Sequence, residues 1–473
     1  MAAQTSEDLL SLLDRAPLNR RYWQSFALLG LVYVFDFFDF SLIAFIMAVI
    51  GPQWHLTYGQ VALVFYGSGI GAILGSLAWG SLGEVFGRRL QSVTGTLICG
   101  VAAGLIGFLP EGAYVALAGL RILVGFGLAA AITPALTIVV ELTPTRWRTS
   151  VTSFFVLTAT LGGLLASATS AILLHALGWR GVAMLGFLPV LVGGAVWLWV
   201  PESMRWLMAK GHFAAAQAAA ARHLAVDIGS LPSPTAPPAA PPRASLAELY
   251  QSPRLFWQSL VVWGCSTTAA FGYLLWGPTI VALALHKPVP QAAKYFFYVG
   301  VVAMVGRVLV ALVVHRVGRR PVGIVFGFGA AVALAIAGWF NAAVIAGFPL
   351  FVVLIAAAAF FVEGGLSNIA PYTIEQYGVR LGSRASGLGH AAAGLGKITG
   401  PLTLALIAGT GNLVQPQATA AAVFPALMFL AVNMLAVAIV FVFLARETHG
   451  RAMTLDFADG GPATPRAARS QAD

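Results

Sequence analysis

Two long apolar segments flank the stretch GEVFGRR at Gly83–Arg89, and two more flank the stretch HRVGRR at His315–Arg320. We call these stretches the first and second cassettes. Gly318 follows Gly87 by 231 positions, about half of the 473 residues. A charged turn with a Gly-Arg-Arg core that recurs at half the chain length predicts two copies of one helical bundle.

The composition places these two copies in a membrane. Hydrophobic residues make up 59% of the chain and charged residues 9%, whereas soluble proteins contain about 25% charged residues. Twelve apolar segments have roughly the 20 residues needed to cross about 30 Å of hydrocarbon, and helices satisfy their backbone groups within lipid. The segments are 24–50, 58–80, 91–109, 114–140, 149–174, 181–200, 255–282, 293–314, 322–341, 347–374, 385–409 and 417–444. The sequence therefore predicts an all-α multi-pass membrane protein with twelve transmembrane helices in two pseudo-symmetric six-helix bundles.

The net charge of +10 is distributed unevenly along the chain. Of 27 Lys and Arg residues, 21 fall in the termini and in the loops after even-numbered segments. This bias predicts that both termini are cytoplasmic, and it favours a lipid bilayer over nucleic acid as the partner. We expect a monomer in a bacterial inner membrane. The predicted regions are a cytoplasmic N-terminus at 1–21, bundles at 22–200 and 255–444, a cytoplasmic linker at 201–254 and a cytoplasmic tail at 445–473.

Acidic and basic residues recur in matching positions around the two cassettes. We expect them to form charge networks that hold the outward-open state and break when the cytoplasmic side opens. The second network should be weaker, because His315, which carries no negative charge, stands where an acid is expected. The expected pairs join Glu84 to Arg88 and Arg89, Glu141 to Arg146 and Arg148, and Glu375 to Arg316, Arg380 and Arg384. The remaining gating candidates are Gly83, Gly87, Gly318 and Arg319.

Several of these motifs resemble those of one transporter superfamily. The segment Gly80–Arg89 resembles the loop signature of the major facilitator superfamily, and Pro201–Leu207 and Glu447–Arg451 resemble the closing motifs of its sugar porters. The resemblance covers residues 20–455 and implies transport by rocking of the two bundles. The pattern Asp36-Phe37-Phe38-Asp39 resembles the paired aspartates of aromatic acid:proton symporters. This resemblance implies that the coupling ion is H⁺ and that the substrate is an organic acid.

Ionisable residues inside the predicted spans are costly in lipid and are therefore functional candidates. Asp39 lies roughly 27 Å from the cytoplasmic edge and Arg121 roughly 30 Å, at 1.5 Å per residue. An ion pair between them is allowed, and protonation of Asp39 would release Arg121, which couples protons to a change of packing. The alternative is a static structural pair. Asp36 lies one turn away and is a second proton-coupling candidate.

The charges near the predicted midplane are candidates for substrate binding. Glu363 lies about 18 Å deep and Lys397 about 20 Å deep, which is where transporters hold substrate. A lysine at that depth suits a carboxylate ligand, and we expect Glu363 to neutralise Lys397 in the empty protein. The alternative is a structural clamp between two helices, and Arg307 is expected to be a structural partner of Glu363 or of helix-end carbonyls. The other substrate-binding candidates are Tyr33, Tyr273, Trp276 and Asn368.

These observations predict a proton-coupled importer of a small organic anion, such as an aromatic or heteroaromatic carboxylate. The sequence gives no reason to expect an enzyme, a metal or a bound cofactor. Three alternatives stay open: symport of a sugar or polyol, proton-driven drug efflux, and a sensor that does not transport.

Overall fold

The computed structural model describes residues 6–232 and 246–448, and within them the chain is almost entirely helical. A two-residue hairpin pairs β1 (Val344–Ile345) with β2 (Phe348–Pro349). The helices are α1 (Ser6–Arg15), α2 (Arg20–Gln53), α3 (Tyr58–Phe86), α4 (Arg88–Leu105), α5 (Tyr114–Leu142), α6 (Thr145–Met184), α7 (Leu188–Trp199), α8 (Met204–Ala209), α9 (Phe213–Leu224), α10 (Pro253–Leu283), α11 (Val289–Val317), α12 (Arg319–Trp339), α13 (Leu350–Ala408) and α14 (Pro416–Phe443).

The described helices cross a membrane twelve times. Eleven stretches are long and apolar enough to span, and one of them, Phe154–Trp199, has 46 residues, about twice the length that one crossing needs. This stretch turns at Gly178, whose φ of 63° and ψ of 178° are not helical and suit a residue without a Cβ. The stretch Phe154–Trp199 therefore counts as two crossings. The long helix α13 contains two of the other ten stretches, Leu350–Tyr377 and Arg384–Ala408. The predicted twelve-helix fold is confirmed.

Each cassette marks the break between two spanning helices. Gly87 has a φ of 92° and separates α3 from α4, and Gly318 has a φ of 98° and separates α11 from α12. Glycine adopts such positive φ angles with little strain. The arginines that follow each glycine therefore stand at the N-terminus of a new helix. We call the end of the bundle that holds both cassettes the cassette end, and its opposite the far end.

Small residues let α3 and α5 approach each other closely. A Cβ at Gly71 would overlap the carbonyl oxygen of Ile122, and a Cβ at Gly125 would overlap that of Ser68. Close backbone contact through small residues is a common mode of helix association in membranes. Gly71 on α3 and Gly125 on α5 thus serve packing, and they bring α5 against Ser68.

The two halves of the protein, α2–α7 and α10–α14, are closed against each other at the far end. The backbone N–H of Tyr58 donates to the carbonyl of Asn412 at 2.9 Å, and that of Val414 donates to Leu56 at 3.0 Å. The Tyr58 hydroxyl also lies 2.6 Å from the hydroxyl of Thr419. Loops from both halves therefore form a hydrogen-bonded seal at this end.

The segment between the halves begins with two short helices packed on the first half. In α9, His223 is buried, and its carbonyl accepts a hydrogen bond of 2.7 Å from the Asn19 amide. Burial lowers the pKa of His223 to about 4, so its imidazole is neutral at ordinary pH. Most of the proline-rich stretch 231–242 and of the tail 445–473 lies outside the described residues, and the predicted region boundaries stay predictions.

Candidate functional site

A buried ion pair joins α2 to α5 inside the first half. Nη1 of Arg121 donates to Oδ2 of Asp39 at 2.6 Å, and the side chains are 0% and 6% exposed. Nη2 of Arg121 donates to the Ser68 hydroxyl at 3.3 Å, while its Nε has no partner among the described residues. The structure thus forms the pair that helix depth allows. The geometry does not test proton coupling by this pair, so the coupling stays a prediction.

Lys397 faces the first half, not Glu363. Its ammonium lies 5.5 Å from the ring centre of Phe40 on α2 and 5.4 Å from that of Phe271 on α10. Asp36 on α2, the second proton-coupling candidate, is also buried. The expected pair of Glu363 with Lys397 is therefore wrong. The two residues share a depth, but they lie on different spans of α13 that face different neighbours.

Glu363 instead binds Arg307 on α11. Nε of Arg307 donates to Oε2 of Glu363 at 3.1 Å, and Nη2 donates to the same oxygen. The Tyr273 hydroxyl donates to the other carboxylate oxygen at 3.3 Å. The sequence placed Arg307 among the structural partners of Glu363, and the structure shows it as the cation that neutralises this carboxylate.

This second ion pair lines a small cavity of about 60 Å³ between the two halves. Aromatic rings from both halves surround it, and three side chains of the first half bring hydroxyl groups. Ser41 and Thr160 have hydroxyl oxygens that are buried and have no hydrogen-bond partner among the described residues. The lining includes Phe37, Ser41 and Phe45 from α2, Thr160, Gly163 and Ser167 from α6, Tyr273 from α10, Phe296 and Arg307 from α11 and Glu363 from α13.

Two other predicted substrate ligands, Tyr33 and Trp276, lie away from this cavity. Tyr33 is buried, with its ring 4.7 Å from that of Phe155. The Trp276 indole N–H donates to the carbonyl of Pro401 at 2.7 Å, and its ring packs in the far-end seal against Tyr58. Both side chains are buried in these contacts and do not line the cavity. The structure therefore does not bring them to the cavity with Glu363 and Tyr273.

Asn368 belongs to the cassette end. Its amide nitrogen donates to the carbonyl of Arg319 at 2.9 Å, and its oxygen accepts from Nη1 of the same arginine at 3.4 Å. The placement of Asn368 among the substrate ligands is therefore wrong for this conformation. The amide supports the first turn of α12.

The first cassette is held by two acids. Arg88 pairs with Glu141 at 3.0 Å, and Glu202 accepts bonds of 3.0 Å from the backbone N–H groups of Arg88 and Arg89. A carboxylate at a helix N-terminus satisfies orphan donors and complements the helix dipole. Glu141 therefore pairs with Arg88, whereas its expected partners were Arg146 and Arg148.

The remaining basic candidates of the first half have other surroundings. Arg148 pairs with Asp14 of α1 at 3.1 Å, and the guanidinium of Arg146 lies 5.7 Å from the ring centre of Trp147. Gly83 lies in the last turn of α3, where a Cβ would meet the end of the flexible Gln91 side chain. The Glu84 side chain lies outside the described residues.

The second cassette repeats the first arrangement. Arg319 pairs with Glu375 at 2.7 Å, and Glu447 accepts bonds of 2.9 and 3.0 Å from the backbone N–H groups of Arg319 and Arg320. Gly318 turns the chain so that Arg319, itself a gating candidate, reaches Glu375 on α13. Sequence reasoning noticed the motifs that contain Glu202 and Glu447 but missed their capping role.

Among the side chains that the structure describes, no ion pair joins Glu375 to the other candidates at the second cassette. His315 and Arg316 are exposed in the last turn of α11, and Arg384 is half-buried. The Arg380 side chain lies outside the described residues. Each network that the structure describes stays within one half, so its role in gating stays a prediction.

The chain belongs to the Major Facilitator Superfamily, whose family model matches residues 29–345. The niacin transporter NiaP of Acinetobacter baylyi is 27% identical over 455 residues, which cover 94% of this chain and 99% of that protein. The gallate transporter of Pseudomonas putida is 26% identical over 84% of this chain and 89% of that protein. The 4-hydroxybenzoate transporter PcaK of Pseudomonas putida is 30% identical over 43% of this chain and 46% of that protein.

Solved structures share the fold. The crystal structure of a D-xylose-proton symporter has a TM-score of 0.68 and 21% identity, and covers 91% of this chain and 99% of that chain. The xylose transporter XylE from E. coli, partially occluded and inward open, has a TM-score of 0.67 and 18% identity over 92% and 100% of the chains. With its relatives named as transporters, the protein is a multi-pass membrane transporter and not an enzyme.

Proposed function

We propose that this transporter carries a small organic anion, an aromatic or heteroaromatic carboxylate, into the cell together with protons. One observation carries the coupling: Asp39 and Arg121 form a fully buried carboxylate–guanidinium pair. The aromatic cavity between the halves, with Arg307 in its wall, supports an aromatic anion as substrate. The relatives named as transporters of niacin, gallate and 4-hydroxybenzoate agree with that class.

The coupling follows from the charges of the buried pair. Ionised Asp39 holds Arg121, and this bond ties α2 to α5. Protonation of Asp39 removes one charge of the pair and weakens its attraction to Arg121, so that α2 can move against α5. Two protonation states thereby favour two packings of the bundle. Because a ligand shifts such an equilibrium only by binding one state better, proton and substrate together select the state that opens to the other side.

Alternating access in this proposal uses the far-end seal. The hydrogen bonds around Tyr58 and Asn412 close that end, so the exit route leads toward the cassette end. The excess of Lys and Arg at the cassette end supports a cytoplasmic location for it and for both termini. The protein then works as a monomer in the bacterial inner membrane.

Uptake into proteoliposomes tests the proposal. With an inwardly directed proton gradient, labelled nicotinate, 4-hydroxybenzoate or gallate should accumulate, and labelled xylose should not. Weak acids also cross bilayers unaided, so protein-free liposomes and the variant Asp39→Asn serve as controls. The proposal is rejected if none of the carboxylates accumulates above these controls, or if xylose alone does.

A further inference from the structure

The cationic group of the cavity is already occupied by a carboxylate of the protein. Arg307 and Glu363 have side chains that are 9% and 14% exposed, and both line the cavity. The described hydrogen bonds of Arg307 use Nε and Nη2, both on one oxygen of Glu363. An anion that enters the cavity therefore meets a guanidinium whose charge is cancelled by a neighbour.

The opposite wall of the cavity offers polar groups without partners. The hydroxyls of Ser41 and Thr160, both from the first half, are buried and lack a hydrogen-bond partner among the described residues. Unpaired buried hydroxyls are unfavourable, and such groups in a cavity between two halves fit a ligand that bridges them. Phe37, Phe45 and Phe296 supply apolar walls for a ring between the two polar ends.

We infer that Arg307 is the anchor for the substrate carboxylate and that Glu363 is its exchangeable counter-ion, which takes up a proton when the substrate binds. The inference rests on the proposed function and deepens it. The substrate carboxylate takes the place of Glu363 on Arg307, and one proton from solution converts Glu363 to the neutral acid. The charge of the cavity is unchanged, and the ring of the substrate reaches toward Ser41 and Thr160 with a hydroxyl group or a ring nitrogen.

The surroundings of Glu363 favour this exchange over a static clamp. The charged and titratable groups that face it among the described residues are Arg307 from α11 and Tyr273 from α10. Tyr273 donates to Glu363 now and can accept a hydrogen bond from the protonated acid. The N-terminal half contributes hydroxyls and rings to the cavity wall. The other intramembrane cations are engaged elsewhere, Arg121 with Asp39 and Lys397 with the Phe40 and Phe271 rings.

Binding of labelled 4-hydroxybenzoate to the purified protein between pH 5.5 and 8.5 tests the inference. One proton taken up per anion predicts that the affinity of the wild type falls with rising pH, by up to tenfold per pH unit. Glu363→Gln keeps the shape but cannot titrate, so its affinity should stay high at pH 8.5 and vary less than about twofold with pH. Arg307→Gln should bind at least about tenfold more weakly at every pH.

Two controls separate the possible failures. Gly119→Ala, at an open position on α5 outside the cavity lining, should keep the wild-type affinity and its pH dependence. The inference is overturned if Glu363→Gln keeps the wild-type pH dependence. Thermal unfolding checks that each variant is folded. Wild-type protein that binds no carboxylate at any pH would instead reject the proposed function.

Discussion

Asp39→Asn should leave a buried guanidinium without its counter-ion. Arg121 is fully buried, and its partners are Asp39 at 2.6 Å and the Ser68 hydroxyl at 3.3 Å. Two unit charges about 4 Å apart attract by about 4 kcal/mol at an effective dielectric constant of about 20. Removal of one member of a buried pair typically destabilises by about 3–5 kcal/mol. We expect this loss in the free energy of unfolding for Asp39→Asn, and a similar loss for Arg121→Met.

The double variant Asp39→Asn/Arg121→Met distinguishes a pair from two independent sites. Since neither charge remains, its free energy of unfolding should lie within about 1 kcal/mol of the wild type or above it. The double-mutant cycle then gives a coupling energy of about 5 kcal/mol or more. Denaturation in mixed micelles, followed by tryptophan fluorescence at fixed pH, measures it. Strictly additive losses would refute the pair, because they mean that the two charges do not interact.

Four further changes test other parts of the structure. Gly71→Ala should destabilise the protein by about 1–3 kcal/mol through overpacking, whereas the open position Gly119→Ala should not, as thermal unfolding will show. Ser41→Ala should lower the affinity for 4-hydroxybenzoate several-fold and that for benzoate little, in a direct binding assay. Glu202→Gln should weaken the N-cap of α4 by about 1 kcal/mol, measured as faster hydrogen exchange in its first turn. The pKa of His223 lies below its ordinary 6.5, at about 4, so protonation of His223 favours release of α9 from the first half. At pH 5 the docking of α9 should therefore weaken by about 2 kcal/mol. Proteolysis of α9 should be faster at that pH in the wild type, and His223→Phe should remove this acceleration.

The sequence predicted the pairing of Asp39 with Arg121 because counting residues from a helix end estimates depth. In a straight helix, 1.5 Å per residue gives the level of each charge. The same count failed for Glu363 and Lys397. Each residue also turns a helix by about 100°, and depth alone does not reveal which face meets which neighbour. Only the packing of α13 shows that these residues face different helices.

The cassettes were recognised as turns, but the partners of their arginines were not. The positive φ angles at Gly87 and Gly318 redirect the chain, so that in both halves the first arginine after the glycine reaches the acid. Arg88 meets Glu141, and Arg319 meets Glu375. Glu202 and Glu447 accept hydrogen bonds from backbone N–H groups. Since every residue except proline has a backbone N–H, such a bond leaves no pattern of complementary side chains in the sequence.

The central claim is that this protein moves an aromatic carboxylate together with protons. The most direct measurement follows internal pH with a trapped dye while nicotinate is added outside proteoliposomes, without an imposed gradient. After subtraction of the protein-free signal, the wild type should acidify the interior as nicotinate enters, and Asp39→Asn should not. Entry of labelled nicotinate with no protein-dependent change of internal pH would contradict the claim.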